Sequence, residues 1–262
     1  MDLQLQGKKA FISGSTQGIG FSIARQLLQE GAAVTINGRN PEKIDQAIER
    51  LKKEYPGAVL SAITADFFNK EDVNRLLAEL TDVDILINNV GVFGLDNFYE
   101  TEDADWYRYF EINVMSGMRL CRKLLPAMID KNWGRVVFIS SESGINVPGN
   151  MINYGVTKAA MIAMSNGLSK LTRGTNVTVN TIIGGPTYSD GVAGAVEPIA
   201  QAQGIDVEHM KQAIIQQTNP HILLQRFIDP EEIASLAVYL AGGLSTATNG
   251  SMLRADSGVL RV

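Results

Sequence analysis

Three side chains in the stretch VVFISSESGINVPGNMINYGVTKAAM can do acid–base chemistry together: Ser141, Tyr154 and Lys158. Tyr154 and Lys158 are four residues apart in a segment that reads as helix, a spacing that stacks them on one face, about 5–6 Å apart at Cβ. A phenol is a poor acid at neutral pH, with an ordinary pKa of about 10. A fixed ammonium within reach favours the phenolate and lowers that value. A phenol tuned in this way can give a proton to a carbonyl oxygen or take one from an alcohol. Ser141 ends an apolar run that reads as a buried strand, and its hydroxyl can hydrogen-bond the same substrate oxygen. A Tyr-x-x-x-Lys pair alone means little, since chance supplies about 0.3 of them in a chain of this composition. A surface tyrosine and a solvated lysine make the competing reading, and the rest of the chain decides between them.

The elements that must position these groups alternate. Apolar strands are predicted near 9–13, 32–37, 59–63, 84–89, 135–140, 176–183 and 251–254. Helices are predicted over 21–30, from Asn40-Pro41, from Asn69, over 104–130, over 151–171 and from Asp229-Pro230. Asn40, with proline behind it, reads as an N-cap, and Asp229 with Glu232 as a capping box. The strands are continuous apolar runs, so both sheet faces are covered. The expected fold is a three-layer α-β-α Rossmann fold with a mainly parallel, roughly seven-stranded, doubly wound sheet, one domain over 1–262. Residues 187–224 leave the sixth strand at the ligand-binding edge and read as a lid, mobile on its glycines and closing over the substrate.

GSTQGIG lies between the first strand and its helix. Gly14, Gly18 and Gly20 allow a tight turn whose backbone N–H groups can approach a pyrophosphate at a helix N-terminus. A bare turn needs only one glycine. The second strand ends Asn37-Gly38-Arg39, with no acid before Glu42. An acid there suits the ribose 2′-hydroxyl of NAD, whereas Arg39 offers a planar fork for the 2′-phosphate of NADP. The alternative is that Arg39 is an ordinary surface charge.

Composition narrows the classes. Of 262 residues 45% are hydrophobic and 19% charged, and the net charge of −5 has no basic run beyond Lys52-Lys53, which argues against nucleic-acid binding. One cysteine, Cys121, allows no intrachain disulfide. With His209 and His221 as the two histidines, no zinc site is expected. No apolar run is long enough for a membrane span and the start has no signal-peptide pattern, so a cytoplasmic protein with no membrane association is expected.

The spacing G-x-x-x-G-x-G, Asp66 after the third strand, Asn88-Asn89-Val90-Gly91 after the fourth, Asn113 in the next helix and the Ser141, Tyr154, Lys158 set together resemble the short-chain dehydrogenase/reductase family, over nearly the whole chain. The resemblance implies that Tyr154 is the acid/base and that Lys158 lowers its pKa and binds the nicotinamide ribose. It further implies that Ser141 orients the substrate oxygen and that Asn113 holds a water in a proton relay. It implies cofactor contacts from Gly14, Ser15, Gly18, Ile19, Gly20, Arg39, Asp66, Phe67, Asn89, Gly91, Tyr154, Lys158 and Thr187. Three places depart from the family pattern: Val90 for alanine, Gly184-Gly185-Pro186 for Pro-Gly, and Asp256-Ser257-Gly258 for Asp-Gly-Gly.

The expected activity is NADP(H)-dependent interconversion of a ketone and a secondary alcohol. Reduction of 3-oxoacyl groups on acyl carrier protein is the narrower alternative, and a non-catalytic NADP-binding regulator the other. The carrier reading needs basic residues near the pocket mouth: Arg173 can be one, but the neutral Asn132 occupies another such place, and the lid holds only Lys211 as a base before Arg226. Gly155, Ala159, Ala163 and Gly167 form a small-residue stripe on the helix of Tyr154. With the family's habit, that stripe points to a homo-oligomer, a dimer or tetramer.

Overall fold

The structure, a computed structural model, describes residues 2–261. Seven parallel strands form one sheet: β1 (Lys9–Ile12), β2 (Ala33–Gly38), β3 (Leu60–Thr64), β4 (Ile85–Asn88), β5 (Gly134–Ser141), β6 (Val177–Gly184) and β7 (Met252–Ala255). Their spatial order is β3-β2-β1-β4-β5-β6-β7, so the winding reverses between β1 and β4. That reversal opens a crevice at the carboxyl ends of the strands. The helices are α1 (Gly18–Gln29), α2 (Pro41–Glu54), α3 (Lys70–Glu79), α4 (Asp103–Phe110), α5 (Ser116–Asp130), α6 (Ile152–Leu171), α7 (Asp190–Gln203), α8 (Val207–Thr218) and α9 (Pro230–Ala241).

The uninterrupted apolar strands follow from having two covered faces. In β1, Ala10 and Ile12 join a cluster with Leu27 of α1, Ile44 of α2 and Ile233 of α9. Phe11, between them, points the other way, into a cluster with Leu76 of α3, Leu124 of α5 and Met161 of α6. β5 repeats the split, with Val137 and Ile139 on one side and Val136 and Phe138 on the other. The predicted caps are in place: Asn40 accepts from the Lys43 N–H at 3.1 Å, and Asp229 and Glu232 form a capping box. Each such cap is worth about 0.5–2 kcal/mol.

The helix expected over 104–130 is not continuous. A π-helical turn, Glu111–Met115, separates α4 from α5, and it carries Asn113. Wider turns of this kind recur at functional sites, and no residue pattern marks one in advance. The segment expected as a lid is the helix pair α7 and α8, with a small core of its own. Ile215, Ile222 and Phe227 are buried there, with Tyr188, Val192 and Ile214 against them. Val196 is buried as well, while Ile199 is exposed, so the apolar residues of this segment serve mainly its own packing.

Candidate active site

The crevice is built from the glycine loop upward. Gly14 and Gly18 have φ of +64° and +59°, the left-handed region that favours glycine. A Cβ on Gly20 would lie 2.4 Å from the Gly14 carbonyl oxygen and 2.5 Å from Asn89 Nδ2. Only glycine therefore lets α1 start this close to the loop. Asn89 fixes the turn by donating from Nδ2 to the carbonyls of Ser13 at 3.0 Å and Gly14 at 2.7 Å. Ser15 is fully buried; its hydroxyl donates to the Ile12 carbonyl and accepts from the Asn37 N–H. Ile19 packs on the core behind the loop. Asn89, Ser15 and Ile19 thus shape the loop rather than face its open side.

The loop already holds an anionic oxygen. Asp190 Oδ2, in the first turn of α7, accepts the Gly18 N–H at 2.6 Å. Ser189 beside it is within contact distance of Gly18. Thr187 instead makes a bridge with Ile228 and donates to the Gly185 carbonyl. The two residues that touch the loop from the lid side are therefore Ser189 and Asp190. Sequence reasoning missed them, although a Ser-Asp pair opening a helix was there to be read.

At the end of β2, Arg39 is exposed and makes no ion pair among the described residues. Lys43, one turn into α2, reaches back to Gln17 of the loop at 3.2 Å and adds a second cation on this side. After β3, Asp66 is partly exposed, its Oδ1 accepting from the Phe68 N–H at 2.9 Å. The Phe67 side chain is buried in the core cluster, so only its backbone is available to a ligand.

Across the crevice, Ser141 ends β5 in register with Gly184 of β6, and Gly184 pairs with Ala255 of β7. Tyr154 and Lys158 lie on the facing turns of α6, with Lys158 Nζ 5.5 Å from the centre of the Tyr154 ring. Lys158 is buried, and Nζ donates to the Ile139 carbonyl at 2.8 Å. Gly91 lies between the two active-site walls: a Cβ there would be 3.4 Å from Asn113 Oδ1 and 3.6 Å from Lys158 Nζ. Asn113 is clamped. Its Oδ1 accepts from the Val92 N–H at 2.8 Å, and its Nδ2 donates to the Val92 carbonyl and to Thr157 Oγ1. Thr157 passes the link on, donating to the Tyr154 carbonyl at 2.7 Å. The amide of Asn113 is thus committed to the loop after β4 and to α6.

The electrostatics differ from the simple expectation. Burial pushes the Tyr154 phenol up to about 12; a hydrogen bond with Ser141 opposes this and the charge of Glu142 adds to it. Burial pushes the Lys158 ammonium down to about 8. Desolvation of the phenolate sets Tyr154 above its ordinary value, in place of the expected lowering by Lys158, whose ammonium is aimed at the Ile139 carbonyl. Two further residues border the site. Phe93 meets the Tyr154 ring edge-on at 6.2 Å and approaches Gly191 of α7. Glu142 follows Ser141 directly. No metal-binding group of three or more His, Cys, Asp or Glu occurs among the described residues, and no helix among them is long and apolar enough to cross a membrane.

This arrangement can hold a dinucleotide along the loop and present a proton-bearing phenol to a carbonyl. A family profile described as short chain dehydrogenase matches residues 8–199. The oxidoreductase YvaG of Bacillus subtilis (strain 168), named "Uncharacterized oxidoreductase YvaG", is 42% identical over 261 residues, 100% of this chain and 99% of its own length. The 3-oxoacyl-[acyl-carrier-protein] reductase FabG of Aquifex aeolicus (strain VF5) is 29% identical over 263 residues, 99% of this chain and 100% of its own. Among solved structures, L-sorbose reductase from Gluconobacter frateurii, complexed with NADPH and L-sorbose, superposes with a TM-score of 0.92 at 28% identity, covering 100% of both chains. Its loop, its catalytic-type constellation and these relationships lead to one conclusion: the chain belongs to the short chain dehydrogenase family of oxidoreductases.

Proposed function

We propose that the protein is an NADP(H)-dependent reductase of a ketone, interconverting it with the secondary alcohol. The observation that carries this reading is the meeting of Ser141, Tyr154 and Lys158 at one end of the crevice with the glycine loop along its floor. The loop fits a pyrophosphate, because its Gly18 N–H already donates to a carboxylate oxygen and the space at Gly20 is closed to any side chain. Arg39 and Lys43 suit a 2′-phosphate, and a structural relative is described in complex with NADPH.

NADPH bound there supplies the hydride for the carbonyl carbon. Tyr154 gives its proton to the carbonyl oxygen, and Ser141 holds that oxygen by hydrogen bonding. The Lys158 ammonium stabilises the phenolate left behind. With its phenol held near 12, Tyr154 carries its proton at neutral pH and has it to give. Asn113 acts as a positioning residue, tying the loop after β4 to α6.

The acyl-carrier alternative finds little support in the surface charges. Asn132, with φ of +54°, accepts from the Asn176 N–H and serves a turn. Lys211 is engaged by Glu208 at 2.8 Å and lies over the Tyr188 ring. Of the three, exposed Arg173 is left to face a carrier. For assembly, the stripe on α6 divides: Gly155 is filled by Val147 and Ser143 of the same chain, whereas Ala163 and Gly167 are exposed. We hold a homo-oligomer packed through that exposed part of α6 as the assembly to test.

Steady-state reduction of a ketone panel with NADPH and NADH tests the function. Arg39→Ala should raise KM for NADPH by about tenfold to a hundredfold, the worth of a charge-assisted hydrogen bond, and leave NADH nearly unchanged. Equal losses with both cofactors would show that Arg39 does not read the 2′-phosphate.

A further inference from the structure

Glu142 is a carboxyl out of place unless it meets a ligand. It is half-buried, and no cation pairs with it among the described residues; Ser143 Oγ lies 3.1 Å from each of its oxygens. Burial pushes it up to about 7, with Asp256 adding to the shift and the Ser143 hydroxyl opposing it. A carboxyl held at such a cost beside reacting groups is the pattern of a functional residue.

Its place in the sheet shows what it faces. Ser141, Gly184 and Ala255 are aligned across the ends of β5, β6 and β7, so the next residues along form a second row: Glu142, Gly185 and Asp256. Gly185 keeps that row low, for a Cβ there would lie 2.8–3.0 Å from the Asp256 backbone. Asp256 is itself neutralised: burial would raise it, but Arg254 and the N–H groups of Leu260 and Gly258 hold it below the ordinary range. The titratable groups around Glu142 are therefore Tyr154, neutral, and Lys158 from α6 and the paired Asp256 and Arg254 from the end of β7. Of these, only Lys158 is an unneutralised cation, and its Nζ is turned to the Ile139 carbonyl. The substrate wall next to Ser141 thus offers an acceptor-rich carboxyl and no cation.

We propose that Glu142 is a substrate-specificity residue that accepts a hydrogen bond from a hydroxyl next to the reacting carbonyl, selecting neutral hydroxyketones and rejecting ketones that carry a carboxylate at that position. This rests on the ketone-reductase reading above. A hydroxyl can donate to Glu142 in the geometry that brings its neighbouring carbonyl to Ser141 and Tyr154. A carboxylate in the same place meets like charge in a partly desolvated site, which is strongly unfavourable.

Three ketones on one three-carbon skeleton test it: dihydroxyacetone, acetone and pyruvate, each with NADPH. Wild-type kcat/KM should fall in that order. Glu142→Ala should raise KM for dihydroxyacetone by about tenfold to a hundredfold, with kcat changed far less, and should affect acetone little. Glu142→Gln should narrow the gap between pyruvate and acetone as the charge is removed. Melting of both variants at pH 8 should match or exceed the wild type, since each loses a buried charge, and this shows that the fold is retained. Equal losses on all three ketones would place the effect of Glu142 on Tyr154 and overturn the proposal. So would a wild type that prefers pyruvate, though the reductase reading would survive that result. A wild type that binds no NADPH and reduces none of the three overturns both.

Discussion

Tyr154 holds its proton more tightly than a free phenol, and Lys158 holds its own less tightly than a free amine, for the same reason: both would carry charge in a desolvated place. The pair has a consequence for pH. Reduction needs the Lys158 ammonium to stabilise the phenolate, and that group loses its proton as pH rises through about 8. The kcat/KM for a neutral ketone should therefore decline above about pH 8 while Tyr154 remains protonated. A profile flat to pH 10 would show that Lys158 is not the titrating group. The identities of these residues were legible in the sequence from spacing and motif; the sign of the balance between them was not. Spacing along a helix tells which side chains are neighbours. It does not tell that Nζ turns to Ile139 or that Glu142, beside Ser141, adds a charge.

At the scale of elements, the loop and the start of α7 are joined by a hydrogen bond that crosses 172 positions, from Gly18 to Asp190. A phosphate on the Gly18 N–H must displace the Asp190 carboxylate and then tolerate its charge nearby. Asp190→Asn should accordingly tighten NADPH binding, severalfold to tenfold for the loss of a like charge, measured by fluorescence titration. Weaker binding would show that Asp190 helps the cofactor in place. The same contact ties down the segment expected to move, so amides of α7 should exchange faster with deuterium in Asp190→Asn than in the wild type. Alternation of strand and helix, the caps of α2 and α9 and the parallel sheet were all readable, because each depends on local pattern. The π turn at Asn113 was not, since the partners its side chain holds there, Val92 and Thr157, lie 21 and 44 positions away. Nor was the position of the lid contact, where the chain reaches Gly18 two and three residues later than Thr187.

For the whole molecule, two acidic groups at its surface give stability a defined pH range. Asp82 is lowered to about 2, chiefly by Lys131 and next by Lys9, and Glu232 to about 2, chiefly by Arg226. Folded values below the unfolded ones mean stability that is fully present above about pH 4–5 and lost as pH falls toward 2. These two groups should make the melting temperature decline below about pH 4, and Asp82→Asn should flatten part of that decline. An unchanged acid limb in the variant would show that the Asp82 pairs, both well exposed, are screened by solvent and salt.

The central claim is that Tyr154 delivers the proton in an NADPH-dependent reduction. The most direct measurement is turnover of one ketone substrate by Tyr154→Phe, with NADPH affinity measured on the same preparation. The phenyl ring keeps the packing against Phe93 and loses the proton. Turnover should fall by about a hundredfold to ten-thousandfold while NADPH binds nearly as before. Turnover within a few-fold of the wild type would contradict the account.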